Sequence, residues 1–179
     1  MTLYIAAYDT ESPACLAACR WAHEAGGQVS FDGGAGRYRD ELRALIPATD
    51  ICVVAREFAQ AYTSLDAPAQ AARRLLDDGP SLVVVTDGER GSWIHARGEE
   101  PFAQPAFPMP DLVDTTGCGD SFHGAFLWGL LQGWPLPRTA RFASAAAALN
   151  ARRLGGREAL PTTPDVESFL AGRASAGPA

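Results

Sequence analysis

The sequence contains no lysine, and all 15 of its basic residues are arginine. A P-loop needs a lysine that reaches the nucleotide phosphates, and Schiff-base catalysis needs a lysine amine, so neither site can be built from these residues. The formal net charge is −6. Nucleic-acid-binding proteins usually carry clustered positive charge, which this acidic composition does not favour, and we therefore expect no nucleic-acid partner.

Long hydrophobic runs and paired cysteines are missing as well. No apolar run approaches the roughly 18–20 residues that cross a bilayer, and residues 1–5 lack the basic start of a signal peptide. The three histidines are scattered, which does not favour a zinc site. The four cysteines form no Cys-x-x-Cys pair; they are Cys15, Cys19, Cys52 and Cys118. We expect a reduced, cytoplasmic protein with no membrane partner.

The first half of the sequence alternates short apolar runs with helical patterns. Ser12-Pro13 is a typical helix start, and Gly26 is a typical helix end. The predicted strands are Leu3–Ala7, Val29–Phe31, Asp50–Val54 and Ser81–Thr86, and the predicted helices are Ser12–Ala25, Tyr38–Leu45, Arg56–Ala61 and Ala67–Asp77. This order predicts an α/β fold with a Rossmann-like parallel sheet flanked by helices. Exposed edge strands of such a sheet invite pairing, so a homodimer is among the assemblies we expect.

The most informative stretch runs from Asp114 to Phe126 and reads DTTGCGDSFHGAF. It predicts a strand end, a glycine-rich turn and a helix over Phe122–Leu131, with Asp120 near the helix start. Free N–H groups and the helix dipole attract anions there, and glycine lets a ligand approach the backbone. One interpretation is a phosphoryl cradle with Asp120 as proton acceptor. The other is a tight turn whose aspartate only stabilises the helix dipole.

The same stretch closely resembles the C-terminal signature of the ribokinase-like (PfkB) carbohydrate kinases, usually Asp-Thr-x-Gly-Ala-Gly-Asp-x-Phe. It departs at Cys118, where the family usually has alanine. The resemblance implies a ribokinase-like fold and ATP-dependent phosphorylation of a sugar or similar small alcohol. It implies that Asp120 is the general base and that the backbone of Gly117, Cys118 and Gly119 forms the anion hole. ATP and Mg²⁺ are the implied cofactors.

Further residues match family elements around the nucleotide. Thr86, Gly88 and Gly91 match the Thr-x-Gly-x-x-Gly element that lies along the nucleotide, although a plain turn has the same pattern. Asn150 and Gly155 fall in the segment that flanks the adenine pocket. An asparagine on a helix surface is an equal alternative for Asn150.

The resemblance implies less for metals and the acceptor. Glu57 lies where many relatives carry Asn-x-x-Glu near magnesium, but the asparagine is absent and a solvated glutamate is the alternative. Asp114 would brace the loop or lie near the metal, with an Asx cap as the alternative. Relatives that bind a monovalent cation often have a small polar residue where this chain has Ala159, which puts such a site in doubt. Asp32 either lines the substrate cleft or belongs to an ordinary loop.

The resemblance covers most of the sequence but only the C-terminal part of the family's usual length. We predict one domain over residues 1–171, followed by a flexible tail at 172–179. The family's first half, with most sugar contacts and a small β lid, has no counterpart here. The expected alternatives are a fragment or a genuine short protein. The alternatives for function are a sugar kinase on the one hand, and a nucleotide-binding module or pseudokinase without independent catalysis on the other.

Overall fold

The structure is a computed structural model that describes residues 2–6 and 12–174. It divides into two compact units, one of Met1–Asp87 with Ser92–Ala103 and one of Gly88–Gly91 with Gln104–Ala179. The assignment of residues 1–171 to one domain stays a prediction. Ala7, at the end of the first predicted strand, and the tail residues 175–179 lie outside the described residues.

Six strands form one sheet in chain order. The strands are β1 (Thr2–Ala6), β2 (Gln28–Gly33), β3 (Ile51–Ala55), β4 (Leu82–Thr86), β5 (Ser92–Ala96) and β6 (Phe102–Gln104). The first four strands are parallel, as predicted. β5 is antiparallel to β4, and a 3₁₀ turn at Gly88–Arg90 lies in the short connection between these two strands.

The central strands β3 and β4 show why their sequences are continuously apolar. No residue of Ile51–Val54 is more than 4% exposed, and Val83, Val84 and Val85 are fully buried. A strand that is buried on both faces needs apolar residues at every position rather than at alternate ones. Within the first unit, Phe31 of β2 packs against Phe58, with ring centroids 5.5 Å apart.

The helices match the predicted pattern apart from the start of the helix after the glycine-rich turn, which is described with the site, and two further exceptions. They are α1 (Ser12–Glu24), α2 (Arg56–Thr63), α3 (Pro68–Asp77), α4 (Cys118–Leu131), α5 (Leu136–Asn150) and α6 (Thr163–Ala174). Among the described residues, no helix is both long and apolar enough to span a membrane.

The first exception is the helix predicted over Tyr38–Leu45, which was wrong. The structure has two short 3₁₀ helices instead, at Asp40–Ala44 and Ile46–Ala48. Pro47 has no N–H to donate to an α-helical partner, so the segment tightens into i→i+3 bonds such as Ala48 N–H to Leu45 O at 2.9 Å.

The second exception is the tail, which was predicted to be flexible from residue 172. α6 continues to Ala174. Arg173 stabilises this extra turn, because its guanidinium donates to Pro108 O at 3.0 Å and lies 4.6 Å from the ring centroid of Phe169. The chain from 172 to 174 is therefore helical.

Candidate functional site

The predicted cradle forms a turn at the start of α4, here called the cradle turn (Asp114–Asp120). α4 begins at Cys118, four residues before the predicted start, so the second glycine lies inside the first helical turn. Gly117 is the N-cap residue. The Ser121 N–H donates to Gly117 O at 2.9 Å and closes the first helical turn. Residues 118–120 therefore present the N–H groups that have no partner within a helix.

Asp114 ties the cradle turn to a second loop. Its Oδ1 accepts hydrogen bonds from the Thr116 N–H at 2.9 Å and from the Thr116 hydroxyl at 2.8 Å. Its Oδ2 accepts the Gly155 N–H at 2.8 Å. These bonds, led by the one from Gly155, lower the pKa of Asp114 below its ordinary value. Asp114 thus has the geometry of a loop brace, and a metal contact stays a prediction.

Gly117 lies directly against the second loop. Its φ is +73°, a conformation that side chains other than glycine rarely adopt. A Cβ at this position would lie 2.6 Å from Gly156 O and 2.7 Å from Gly156 Cα. Gly117 is therefore required by the packing of two backbone segments.

Gly119 has a different environment. Apart from its own chain neighbours and its own helix, no atom of the described residues lies within 4 Å of the position that a Cβ would take. Its φ is not in the left-handed region, so alanine would fit the backbone. Space is left open beside the Gly119 backbone at a helix N-terminus, where an anion is favoured.

The Cys118 backbone is partly engaged, because its N–H donates to Thr115 O at 3.1 Å. Its side chain is half-buried, and burial raises the pKa of the thiol above its ordinary value. An anion hole built from Gly117, Cys118 and Gly119 stays a prediction.

Asp120 is exposed on the first turn of α4 and lines a cavity of about 640 Å³ within the second unit. Thr116 and Ser121 belong to the same wall, and the remaining walls are mostly apolar, with Trp128, Phe142 and Leu160 among them. A carboxylate at the edge of an apolar cavity, next to an open helix N-terminus, can take a proton from a hydroxyl that is held there.

Asn150 ends α5 and is fully buried. Its Nδ2 donates to Thr116 O and to Gly156 O, both at 3.4 Å. A nucleotide contact by this side chain stays a prediction. The Gly155 backbone has a φ of +94°, and its N–H donates a hydrogen bond to Asp114 Oδ2. Gly156 and Arg157 also line the cavity, and of these two Arg157 was missed by the sequence reasoning.

The predicted nucleotide element spans β4 and the turn after it. Thr86 ends β4, and its hydroxyl donates to Val54 O at 3.4 Å. Within the second unit, Gly88 has a φ of +54° and no atom of the described residues within 4 Å of a Cβ position. Gly91 has a φ of +92°, and a Cβ there would lie 2.1 Å from Gln104 O.

The remaining predicted residues lie in the first unit. Glu57 is exposed in the first turn of α2. Asp32 lies near the end of β2 and is partly exposed. Sequence reasoning missed the ion pair of Arg56 Nε and Asp87 Oδ2, 4.0 Å apart. In the described part of the chain, no group of three or more histidine, cysteine, aspartate or glutamate residues could hold a metal ion by itself.

A family model described as pfkB family carbohydrate kinase matches residues 2–163. Two curated relatives illustrate the similarity. The 2-dehydro-3-deoxygalactonokinase of Haloferax volcanii is 38% identical over 136 residues, which cover 75% of this chain and 42% of the relative. The 5-dehydro-2-deoxygluconokinase of Geobacillus kaustophilus is 33% identical over 101 residues, 56% of this chain and 30% of the relative.

The backbone is also similar to that of solved structures. Arabidopsis thaliana ribokinase complexed with ribose and ATP matches with a TM-score of 0.85 and 25% sequence identity. The match covers 94% of this chain and 55% of that ribokinase. The ribokinase-like α/β fold predicted from the sequence is confirmed. The chain spans about half the length of that structure, and less than half of the two curated relatives.

Proposed function

Because the chain belongs to the pfkB family of carbohydrate kinases, we propose that its cradle turn binds the phosphates of ATP and supports phosphoryl transfer to a hydroxyl of a sugar or similar small alcohol. The observation that carries this proposal is the open space beside Gly119, at a helix N-terminus, next to the exposed Asp120. The packed neighbour Gly117 shows that this space is specific to one side of the turn.

In the proposed reaction, the acceptor oxygen attacks the terminal phosphorus. A new P–O bond forms, the bond from phosphorus to the bridging oxygen of ADP breaks, and the hydroxyl proton passes to Asp120. Negative charge on the moving phosphoryl group is stabilised by N–H groups of the first turn of α4 and by the helix dipole. Asp120 and Gly119 are adjacent in the chain, so a phosphoryl group at the turn lies beside the base.

The residues fit a magnesium ion that is held mainly by phosphates and water. Mg²⁺ usually takes only one or two protein carboxylates together with substrate phosphates. Glu57, an exposed carboxylate of the first unit, is the residue we propose to act through water. When bound, the metal would neutralise phosphate charge. Asp114 has its carboxylate occupied by three loop hydrogen bonds, so we assign it the bracing role.

Thr86, Gly88, Gly91 and Gly155 are proposed to lie along the nucleotide. Gly88 supports this, since its surroundings are as open as those of Gly119. A cytoplasmic location is supported by four free cysteines, and a homodimer stays a proposal. We include no monovalent cation, because Ala159 offers no polar side chain.

A second candidate function is a nucleotide-binding module that needs another polypeptide for catalysis. The observation that favours it is the length of the matched relatives, of which this chain covers 30% to 55% in the three comparisons. In this case the cradle turn would bind nucleotide, and the acceptor would be recognised elsewhere.

Calorimetric titration of the 179-residue chain with Mg·ATP, together with a phosphoryl-transfer assay over a panel of sugars and sugar acids, tests both candidates. Binding with acceptor-dependent turnover supports the kinase. Binding without turnover supports the module. Gly119→Asp is the control, because a carboxylate in the open space should abolish binding through repulsion of the phosphates. No binding by the wild-type chain would contradict both candidates.

A further inference from the structure

The buried side chain of Asn150 joins two backbone segments of the site. It is fully buried at the end of α5, and its Nδ2 donates to Thr116 O in the cradle turn and to Gly156 O in the second loop. Both bonds are 3.4 Å long. One amide group therefore connects the same two segments that Asp114 connects from the other end of the turn.

The amide oxygen of Asn150 has no hydrogen-bond partner among the described residues. A buried polar atom without a partner is costly, and such atoms are uncommon in folded proteins. An apolar residue of similar size would avoid this cost. The asparagine is therefore explained by the donor side of its amide group.

Cys118 is a neighbour of this amide group. Its thiol is half-buried, and the Asn150 side chain partly offsets the rise in the thiol pKa that burial causes. Both hydrogens of Nδ2 point to Thr116 O and Gly156 O, so the sulfur of Cys118 adds only a shared, weaker contact to this amide group. Alanine, which usually stands at this position in the family signature, lacks that sulfur. Asn150 and Cys118 are thus two features of this chain that contact each other.

We infer that Asn150 is a positioning residue, with Cys118 as its side-chain partner, that holds the cradle turn against the Gly155–Gly156 loop and so keeps the N–H groups of the first α4 turn oriented before a phosphate arrives. The orientation of these N–H groups matters for activity only if they bind phosphate, so the inference rests on the proposed function. Asn150 acts through Thr116, Gly156 and Cys118, and it does not contact the nucleotide in this arrangement.

The test compares Asn150→Leu, Cys118→Ala and the double variant with a matched control, Thr139→Val. Thr139 lies on the same helix, is also fully buried and donates a 3.4 Å hydrogen bond to Trp134 O. Amide hydrogen exchange is measured without nucleotide, and the Kd for Mg·ATP is measured by calorimetry. Thr139→Val removes a comparable bond at a place remote in sequence from the cradle turn.

We expect Asn150→Leu to raise exchange rates at Thr116, Gly119 and Gly155 by about tenfold and to weaken Mg·ATP binding by a similar factor. Cys118→Ala should change both quantities in the same direction by about two- to threefold, and should add almost nothing in the Asn150→Leu background. Thr139→Val should leave both quantities unchanged, even if its melting temperature falls as far as that of Asn150→Leu.

Unchanged exchange in the cradle turn of Asn150→Leu would overturn the inference, and so would an equal change in Thr139→Val. If Asn150→Leu does not fold, Cys118→Ala still decides, because it introduces the residue most common in the family and should fold. The amide hydrogen-exchange measurement needs no nucleotide. If the wild-type chain does not bind Mg·ATP, the proposed function fails while the exchange data still test the positioning role.

Discussion

The two sides of the cradle turn differ in what lies next to the backbone. On the Gly117 side, the backbone of Gly156 fills the space where a side chain would go, and the φ of +73° requires glycine in any case. On the Gly119 side, the surroundings are open and the backbone is helical. The first glycine is therefore explained by folding alone. The second is not, and we propose that it leaves room for a ligand that approaches the backbone.

The turn after β4 repeats this contrast. Gly91 is closed in by the backbone of Gln104 and its neighbours, whereas Gly88 has open surroundings. Each of the two glycine motifs thus contains one glycine that the packing requires and one that leaves space. A sequence motif alone shows two equal glycines, and the structure assigns them different roles.

The largest effect should come from Asp120→Asn, which changes a residue on the Gly119 side of the cradle turn only. We expect phosphoryl transfer to fall by about 10²–10⁴-fold, because the acceptor proton has no base. Asp120 is exposed, so the melting temperature and the Kd for Mg·ATP should stay close to wild type. Steady-state turnover and calorimetry on the same sample check this. Normal turnover in the variant would show that Asp120 is not the base.

Gly117→Ala should disrupt the packing of the cradle turn against Gly156. The positive φ and the 2.6 Å approach to Gly156 O both oppose a Cβ, and we expect unfolding to become easier by about 2–4 kcal/mol. Gly133→Ala is the matched control, because Gly133 has a φ of +68° but nothing within 4 Å of a Cβ position among the described residues. Chemical denaturation measures both. Equal losses in the two variants would mean that the contact with Gly156 contributes nothing.

Gly119→Ala should affect ligand binding and leave the stability of the fold intact. Stability should stay constant or rise by up to about 1 kcal/mol, because alanine is the better helix former. Mg·ATP binding should weaken by about tenfold, since the methyl group enters the space we assign to phosphate. Gly172→Ala is the control, as a glycine of α6 with open surroundings that does not line the cavity. Unchanged binding by Gly119→Ala would remove the reason to place phosphate at this turn.

Asp114 should give the smallest effect, visible mainly as a pH dependence. Its pKa is lowered in the folded state, chiefly by the Gly155 N–H, so it stabilises the fold above its ordinary pKa. That stabilisation is lost as the pH falls through the lowered folded-state pKa. Melting temperatures between about pH 6 and pH 3 should therefore fall less steeply for Asp114→Asn than for wild type. Identical pH slopes would mean that the carboxylate does not brace the loop.

The local parts of this site could be predicted from the sequence, and the long-range parts could not. Glycine and aspartate spacing located the turn at Asp114–Asp120, because turn chemistry depends on neighbouring residues. The bond from Gly155 to Asp114 joins residues 41 positions apart, and the bonds of Asn150 depend on burial that no periodicity in α5 reveals. The start of α4 was missed because glycine is a poor helix former, so Gly119 gave no sign that the helix begins before Phe122.

The fold shows the same limit. The apolar runs predicted the parallel strands β2 to β4, since burial on both faces leaves a direct mark on the sequence. The apolar spacing over Tyr38–Leu45 predicted an α-helix, but its buried residues, Leu42 and Leu45, are three positions apart, and a 3₁₀ helix also places such a pair on one side. The nearby Pro47 disfavours an α-helix that continues through it.

Trp128 has a practical consequence for studies in solution. Its indole is 43% exposed and lines the same cavity as Asp120. A molecule that enters this cavity would exclude water from the ring, and the fluorescence emission of the protein should shift towards shorter wavelengths. The chain thus carries an intrinsic optical reporter for whatever occupies the space beside its carboxylate, and this reporter requires neither turnover nor a labelled ligand.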